Sequence, residues 1–231
     1  IGVGYKELDK DLTPVIQKAK TLGATYVVCF GIDHKGNEFG MKDVEEAAAK
    51  FNRAGKILKE NGLQLCYHPH GFEFRPSGKG TLFDDLVAKT DAAYLNFELD
   101  VYWAKQGCAD PVALLKKYPN RFLLMHLKDR EHGTQCNDTG SADEETNVVL
   151  GKGDVNIRAI MKAAKKTAVK HYFIEDECER YKYIIENMIY VCEIQPNNMI
   201  VYHYIYNKDS KYNLNTYYGS FLEKGFNEIF S

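Results

Sequence analysis

Residues 94–130 read YLNFELDVYWAKQGCADPVALLKKYPNRFLLMHLKDR and contain two apolar runs, 94–101 and 122–127, separated by a helical pattern. Asp110 followed by Pro111 is a typical N-cap and first-turn pair, and it marks the start of a helix. Both apolar runs end in polar residues, as expected for parallel strands that are covered by helices. The segment therefore predicts a strand, a helix and a second, parallel strand.

The same alternation continues on both sides of this segment. Helix signals separate the apolar runs: Thr13 with Pro14 predicts one helix start, and Asn61-Gly62 closes a long helix that begins near Lys42. Parallel strands joined by helices form either a closed barrel or a doubly wound sheet, and in both folds the functional residues gather at the carboxyl ends of the strands. The other predicted strands are residues 26–31, 63–67 and 171–174, with IGVG at residues 1–4 as the remnant of a further one.

The composition is that of one ordinary globular domain. The chain has 231 residues, of which 45% are hydrophobic and 27% charged, with a net charge of −2. This near balance argues against a nucleic-acid partner, and no apolar run approaches the roughly 20 residues of a membrane span. The composition favours an enzyme or small-molecule binder, and it leaves a homo-oligomer open.

Six cysteines are spread along the chain without a CxxC pair or zinc-finger spacing. A domain of this length does not need disulfides to fold, and we expect a cytoplasmic protein with reduced thiols. The sequence starts at Ile1 and not at methionine, so the cytoplasmic location is predicted without the natural N-terminus. The six are Cys29, Cys66, Cys108, Cys136, Cys178 and Cys192.

The character of the sequence changes after residue 177. Residues 178–231 hold nine of the sixteen tyrosines and no alanine, and they show neither helical periodicity nor clean strand alternation. One interpretation is a divergent C-terminal extension. The other is translated AT-rich noncoding sequence, because Tyr, Asn, Ile, Lys and Phe are the residues that such a stretch encodes.

Residue types that bind metals follow four of the predicted strands. A divalent cation needs three or four carboxylate or imidazole groups from different strands, which a parallel barrel supplies at its C-terminal mouth. A single strand-end histidine or aspartate is more often a cap, but four consecutive strands with such an end favour a metal site. The candidates are His68, His70, Glu98, Asp100, His126, Glu175 and Glu177.

Five motifs, in this order, resemble the sugar phosphate isomerase/epimerase family of xylose isomerase-like TIM barrels. They are YHPHGFEF (67–74), FELDVYWAKQGCADPVALLKKYP (97–119), LLMHLKDR (123–130), LGKGDVN (150–156) and HYFIEDE (171–177). The resemblance covers residues 1–177. It implies a (β/α)₈ TIM barrel, a divalent metal ion (Mn, Mg, Co or Zn) and a sugar, polyol or keto-polyol substrate.

The resemblance also implies the metal ligands. Asp100, His126 and Glu175 match the family's ligands on strands six, seven and eight, and His68 stands where the best-understood epimerases have a glutamate. A histidine binds metals, but it is a poorer partner in a proton shuttle between two carboxylates. The departure at His68 therefore puts simple epimerase chemistry in doubt.

Further positions are implied to act on the substrate. Glu175 is the expected base for proton abstraction, and the YH-x-H-x-FEF pattern points to His70 or Glu73 near the substrate. Trp103 stands where epimerases often have a substrate-binding histidine, which is a second sign that the substrate differs.

The sequence allows more than one role for Lys128 and for the glycines that follow it. Lys128 either stabilises an enolate or binds a substrate hydroxyl or phosphate, or it forms a salt bridge with Asp129 or Glu98. Gly151 and Gly153 would let the backbone approach a substrate phosphate, although a GxG before a helix is more often turn geometry.

The family pattern places about two β/α units before Ile1. We therefore interpret residues 1–177 as a TIM barrel that lacks its first strands, followed by an atypical tail at residues 178–231. An open barrel exposes two strand edges, which the tail or a partner chain could pair.

The predicted activity is that of a metal-dependent sugar or sugar-phosphate isomerase or epimerase, which abstracts a proton alpha to a carbonyl to form an enediolate. A keto-polyol dehydratase (lyase) on the same scaffold is the alternative enzyme. The alternative to both enzymes is a truncated fragment that has no catalytic activity. An endonuclease of the related apurinic-site type is disfavoured because the sequence shows no basic groove and no additional histidine ligands.

Overall fold

The computed structural model describes residues 1–35 and 38–175, and a parallel sheet organises them. Six strands lie in the order β1-β2-β3-β6-β7-β10, and each neighbouring pair is parallel. Two short antiparallel pairs, β4 with β5 and β8 with β9, lie outside this sheet. The strands are β1 (Gly2–Val3), β2 (Tyr26–Cys29), β3 (Gln64–Tyr67), β4 (Pro76–Ser77), β5 (Gly80–Thr81), β6 (Leu95–Asp100), β7 (Phe122–Leu127), β8 (Asp129–Arg130), β9 (Asn147–Val148) and β10 (His171–Ile174).

Helices connect the strands of the sheet, as parallel neighbours require. Three short 3₁₀ turns, Tyr5–Asp9, Phe72–Phe74 and Glu144–Thr146, lie in the connections. The helices are α1 (Thr13–Thr21), α2 (Met41–Glu60), α3 (Leu82–Lys89), α4 (Val101–Gln106), α5 (Pro111–Lys117) and α6 (Ile157–Ala164).

The sheet is strongly curled. The rings of Tyr26 in β2 and His171 in β10 lie 5.4 Å apart, although β3, β6 and β7 separate the two strands. In a flat sheet the same four steps would place β2 and β10 roughly 19 Å apart. The curl therefore turns the sheet into most of a barrel wall, with the predicted ligands at one rim.

The main core lies between the outer face of the sheet and the helices. Helix α2 buries Val44, Phe51 and Leu58 along one stripe, and Phe83 of α3 packs with its ring centroid 4.9 Å from that of Phe97 in β6. A much smaller cluster of Val28, Cys66 and Leu124 lies apart from this core, and Tyr26 packs against it. This large outer core holds the strands in place, and with them the side chains at their carboxyl ends.

The predicted fold class is confirmed: the chain forms an incomplete parallel α/β barrel. The strand predicted at residues 94–101 ends at Asp100, because the Asp100 side chain accepts a hydrogen bond from the N–H of Trp103 and so caps α4. Asp110 caps α5 as predicted. Thr13 is the first residue of α1 and not its N-cap, which is Leu12.

The outer strands of the sheet, β1 and β10, each have one neighbour within the described residues. Phe30 beside one edge and Phe173 and Ile174 at the other are 46%, 39% and 47% exposed.

The predicted tail at residues 178–231, which contains Cys178 and Cys192, lies outside the described residues. Glu177 also lies outside them. Among the described helices, none is long and apolar enough to span a membrane.

The prediction of reduced thiols is wrong for two cysteines. Cys108 and Cys136 form a disulfide, while Cys29 and Cys66 are free and buried. The backbone N–H of Asn137 donates to the carbonyl of Gln106 at 2.7 Å, so the loop after β8 returns to the end of α4. This return places the two cysteines together although 28 residues separate them.

Replacement of Cys136 by serine is expected to lower the free energy of unfolding by about 3 to 4 kcal/mol, from the entropy of the loop that the disulfide closes. The measurement is urea unfolding of the oxidised parent and of Cys136→Ser. Cys29→Ser keeps the disulfide and is the thiol control, so a dithiol reductant should lower its midpoint by as much as it lowers that of the parent. Equal stability of the oxidised parent and Cys136→Ser would contradict the disulfide.

Gly55→Ala is expected to destabilise the fold, although alanine is the better helix former by about 1 kcal/mol. A Cβ atom at Gly55 would lie 2.2 Å from the carbonyl oxygen of Tyr94, so α2 would have to move off the sheet. We expect a net loss of about 1 to 3 kcal/mol in urea unfolding. The control is Lys56→Ala on the exposed face of the same helix, and a Gly55→Ala variant more stable than the parent would contradict this packing.

Candidate metal centre

Three of the predicted ligands meet at the rim of the barrel. His68 follows β3, Asp100 ends β6 and His126 lies in β7, and one ligand atom from each lies within 4.8 Å of the other two. Because parallel strands end at one edge, residues that are far apart in the chain become neighbours there. The curl of the sheet then brings His68 and His126 together across β6, with ring centroids 4.8 Å apart.

Asp100 lies at the centre of this group. Its Oδ2 atom is 3.8 Å from His68 Nε2 and 3.8 Å from His126 Nδ1, and it is buried without a hydrogen-bond partner among the described residues. Burial raises the pKa of this carboxyl. A buried carboxylate oxygen with no donor, aimed between two imidazoles, is the arrangement that a divalent cation satisfies.

Glu98 lies one inward-facing position below Asp100 and supports both histidines. Its Oε2 is 3.1 Å from His68 Nδ1, and its Oε1 is 3.4 Å from His126 Nε2. Burial raises the pKa of Glu98, but hydrogen bonds to His126 and His68 outweigh it and hold the pKa at about 2. A carboxylate behind a histidine ligand fixes the orientation of its ring, as in many metal sites.

Glu175 completes the group from the end of β10. Its Oε2 lies 3.0 Å from His126 Nδ1. Burial opposes ionisation of Glu175, yet the His126 contact holds its pKa at about 2. Burial likewise lowers the pKa of His126, but hydrogen bonds to Glu175 and Glu98 outweigh it and raise the pKa to about 10. The three acids around His126 therefore favour positive charge at this site.

The donor set suits a divalent metal ion. His68, Asp100, His126 and Glu175 offer two imidazole nitrogens and two carboxylates, which is chemistry shared by zinc and manganese sites. The structure brings these four predicted ligands together, the first three as one group and Glu175 through His126.

His70 and Trp103 form an aromatic wall beside the ligands. The His70 ring lies 4.6 Å from that of His68 and 5.5 Å from that of Trp103. Burial, followed by the charge of His68, lowers the pKa of His70 to about 3, so its imidazole is neutral. The predicted substrate-binding roles of both residues stay predictions, and their place beside the ligands is compatible with them.

Glu73 lies beneath the loop that bears His70. Its fully buried carboxylate accepts hydrogen bonds from the Tyr67 hydroxyl and from the backbone N–H groups of His70 and Gly71. Gly71 has φ +111, and a Cβ there would lie 3.3 Å from Gly107. These contacts fix the loop, whereas the predicted catalytic role of Glu73 stays a prediction.

The buried Lys128 follows β7 with its ammonium group against aromatic rings. Its Nζ atom lies 4.7 Å from the centre of the Tyr102 ring and 5.6 Å from that of Trp103. The charge of Lys128 also contributes to lowering the pKa of Glu175, after the larger effects of burial and His126. Lys128 therefore lies within electrostatic range of the ligands, and its catalytic and substrate-binding roles stay predictions.

From the sequence, Glu98 is predicted only as a ligand-type residue and as a partner for Lys128. Its bridging of two histidines was missed. The signal was the two-residue spacing of Glu98 and Asp100, which places both side chains on the same face of β6.

A sequence profile of the xylose isomerase-like TIM barrels matches residues 6–196. The chain belongs to this family. The match includes every described strand of the barrel sheet after β1, and it continues past residue 177, the predicted end of the barrel domain. The resemblance from which the ligands were predicted is thereby confirmed.

Individual relatives in this family have different names. A sugar phosphate isomerase/epimerase from Parabacteroides distasonis is 29% identical, with a TM-score of 0.56 over 78% of this chain and 63% of its own. The zinc-bound IolI protein is 14% identical with a TM-score of 0.62 over 80% of this chain and 69% of its own, a likeness that shows the fold alone.

Among curated relatives, the inosose dehydratase of Klebsiella pneumoniae (strain 342) is 26% identical over 147 residues. That alignment covers 59% of this chain and 48% of the relative. The chain thus spans about half the length of this dehydratase.

The metal centre of this xylose isomerase-like chain is tested by thermal unfolding with EDTA and then with Mn²⁺. Metal at 100 times its Kd should stabilise the parent by about 2.7 kcal/mol. Asp100→Asn keeps an oxygen that can cap α4 but removes the charge at the centre of the group, so most of this gain should be lost. Exposed His132 supplies the control variant His132→Ala, and an equal metal response in Asp100→Asn would contradict the site.

Proposed function

We propose that this chain acts as a divalent-metal-dependent dehydratase, a lyase that removes water from a polyhydroxylated ketone. The observation that supports this most is the unequal exposure of the three acids at the site. The Glu98 and Asp100 side chains are 2% and 0% exposed, whereas that of Glu175 is 33% exposed. Among the three, Glu175 is therefore the one open to a substrate.

One open carboxylate suits dehydration better than epimerisation. An epimerase removes a proton from one face of a carbon and returns one to the other face, which calls for two proton-transfer groups. In a dehydration, a single group can take the proton and pass it to the departing hydroxyl. His68 stands where the second carboxylate of an epimerase would be, and this supports the same conclusion.

The metal would be held by His68, Asp100, His126 and Glu175. A divalent cation there would supply Lewis acidity towards the ketone oxygen and a neighbouring hydroxyl. Glu98 would keep both imidazoles oriented through its contacts of 3.1 and 3.4 Å. The IolI protein, which has the same fold, binds a zinc atom, and this supports the proposal of a divalent metal ion in this chain.

Glu175 would also move the proton, and the residues beside the metal ligands would bind the substrate. Glu175 takes the proton from the carbon next to the ketone, and the electrons of that C–H bond form a C=C bond as the C–O bond of the next carbon breaks. The proton passes to the departing hydroxyl, which leaves as water. Lys128 donates a hydrogen bond to the substrate oxygen that gains charge, and His70 and Trp103 hold the ring or chain of the substrate.

An isomerase or epimerase is the second candidate, and the name of the 29% identical Parabacteroides protein favours it. It shares the same first step, removal of a proton next to a carbonyl. The name of the Klebsiella relative, inosose dehydratase, favours the lyase instead. The two activities differ in whether water leaves the substrate.

The test is incubation of the manganese-loaded chain with an inosose in D₂O, followed by mass spectrometry and NMR. We expect a product lighter by one water, and Glu175→Gln should lower the rate about 100-fold or more. The control is Glu131→Gln, an exposed glutamate of the loop after β8, which should leave the rate unchanged.

Other outcomes separate the alternatives. Deuterium entering the substrate without loss of water would support the isomerase. Binding of manganese with neither exchange nor water loss would support a non-catalytic fragment and would contradict both enzymatic proposals.

A further inference from the structure

The loop between β7 and α6 has the composition of a phosphate-binding loop. In (β/α)₈ barrels a phosphate group is frequently bound by the loop after the seventh strand and the start of a following helix. In this chain that loop contains LGKGDVN at residues 150–156, directly before α6. Backbone N–H groups in such glycine-rich turns form concave sites for anions.

The anion in this loop is the chain's own Asp129. Its Oδ2 accepts hydrogen bonds from the N–H groups of Gly151 and Gly153, each at 2.9 Å. Its Oδ1 accepts from the N–H groups of Arg130 at 2.9 Å and Val155 at 3.1 Å. Asp129 is 2% exposed, so four backbone donors surround a carboxylate that is closed off from solvent.

The loop is shaped tightly around this carboxylate. A Cβ at Gly153 would lie 2.1 Å from the carbonyl oxygen of Arg130 and 2.4 Å from Asp129 Oδ1, and Gly151 has φ +85. The glycines predicted to approach a phosphate therefore approach Asp129 instead. A substrate phosphate would have to displace a bonded carboxylate to use these donors.

The other anion-binding groups of this loop are also engaged within the chain. The Arg130 guanidinium binds the Asp154 carboxylate through two nitrogens, at 3.1 and 2.9 Å, and the Gln106 Oε1 atom at 2.8 Å. At the start of α6 the Asn156 side chain accepts a hydrogen bond from the N–H of Ala159 at 3.3 Å.

We propose that this site takes an uncharged polyhydroxylated ketone and not a sugar phosphate, because Asp129 fills the anion site of the loop after β7. This inference rests on the proposed function for the identity of the reacting ketone. The occupation of the loop by Asp129 is independent of the reaction.

The first test measures whether inorganic phosphate stabilises the chain against heat. The melting temperature of the parent should not change with phosphate. Asp129→Ala leaves four donors without an acceptor, so it should melt several degrees lower, and phosphate should restore at least about 3 °C of the loss. The control Asp143→Ala, at an exposed cap in the same loop region, should show no phosphate effect.

A phosphate-dependent rise in the parent as large as that in Asp129→Ala would overturn the proposal, because the anion site would then be open. Should Asp129→Ala fail to fold, Asp129→Asn replaces it. Its amide keeps the volume but offers one acceptor oxygen in place of two, so the variant should be destabilised while phosphate still has no effect on the parent.

The second test compares D-fructose with D-fructose 6-phosphate by calorimetric titration of the manganese-loaded parent. We expect the phosphate ester to bind no more than about 3-fold more tightly than the free ketose, well short of the tenfold that 1.4 kcal/mol would give. An ester that binds more than about tenfold more tightly, with the gain lost in Lys128→Met, would overturn the proposal.

The two proposals fail in different ways. Absence of water loss from every ketone would contradict the dehydratase, while the phosphate response of Asp129→Ala would still decide whether Asp129 fills the anion site. Dehydration of a sugar phosphate but not of the free sugar would leave the dehydratase intact and overturn the inferred substrate class.

Discussion

The bridge that Glu98 forms between His68 and His126 is the interaction on which the rest of the site depends. The two imidazoles come from strands on either side of β6, and one buried carboxylate contacts both, at 3.1 and 3.4 Å. Such a bridge is available only where the sheet curls enough to turn β3 and β7 towards each other. The packing of the helices on the outer face maintains that curl, so the candidate metal centre depends on a core that lies on the other side of the sheet.

Four acids in the described barrel show how environment decides the role of a carboxylate. Glu98 is ionised by two imidazole contacts, and Asp100 keeps one oxygen without a donor. Glu175 remains open at the rim, and Asp129 is enclosed by four backbone N–H groups. The four carboxylates have the same chemistry, but these surroundings suit them to different tasks. Glu98 orients the histidines and Asp129 occupies the internal anion site, while metal binding by Asp100 and proton transfer by Glu175 are the roles that we propose.

Much of the site could be predicted from the sequence, because strand-end residues of a parallel barrel share one rim. His68, Asp100 and His126 were predicted as ligands for this reason, and they lie together. The bridging role of Glu98 was missed because it depends on the amount of curl. The Cys108–Cys136 disulfide was missed because a hydrogen bond between the loop after β8 and the end of α4 brings those residues together, and the local sequence pattern does not indicate this contact.

The sequence by itself determined the order of strands and helices, the helix caps such as Asp110, and the residue types available at the rim. Periodicity and capping act over a few residues, and the chain encodes them locally. Only the tertiary structure decided which polar groups meet: Asp129 reaches amides 22 to 26 residues further along, and Glu98 bonds a histidine 30 residues before it. Such pairings depend on the closure of the sheet, because distant groups meet only when the packed strands and helices fix their positions in space.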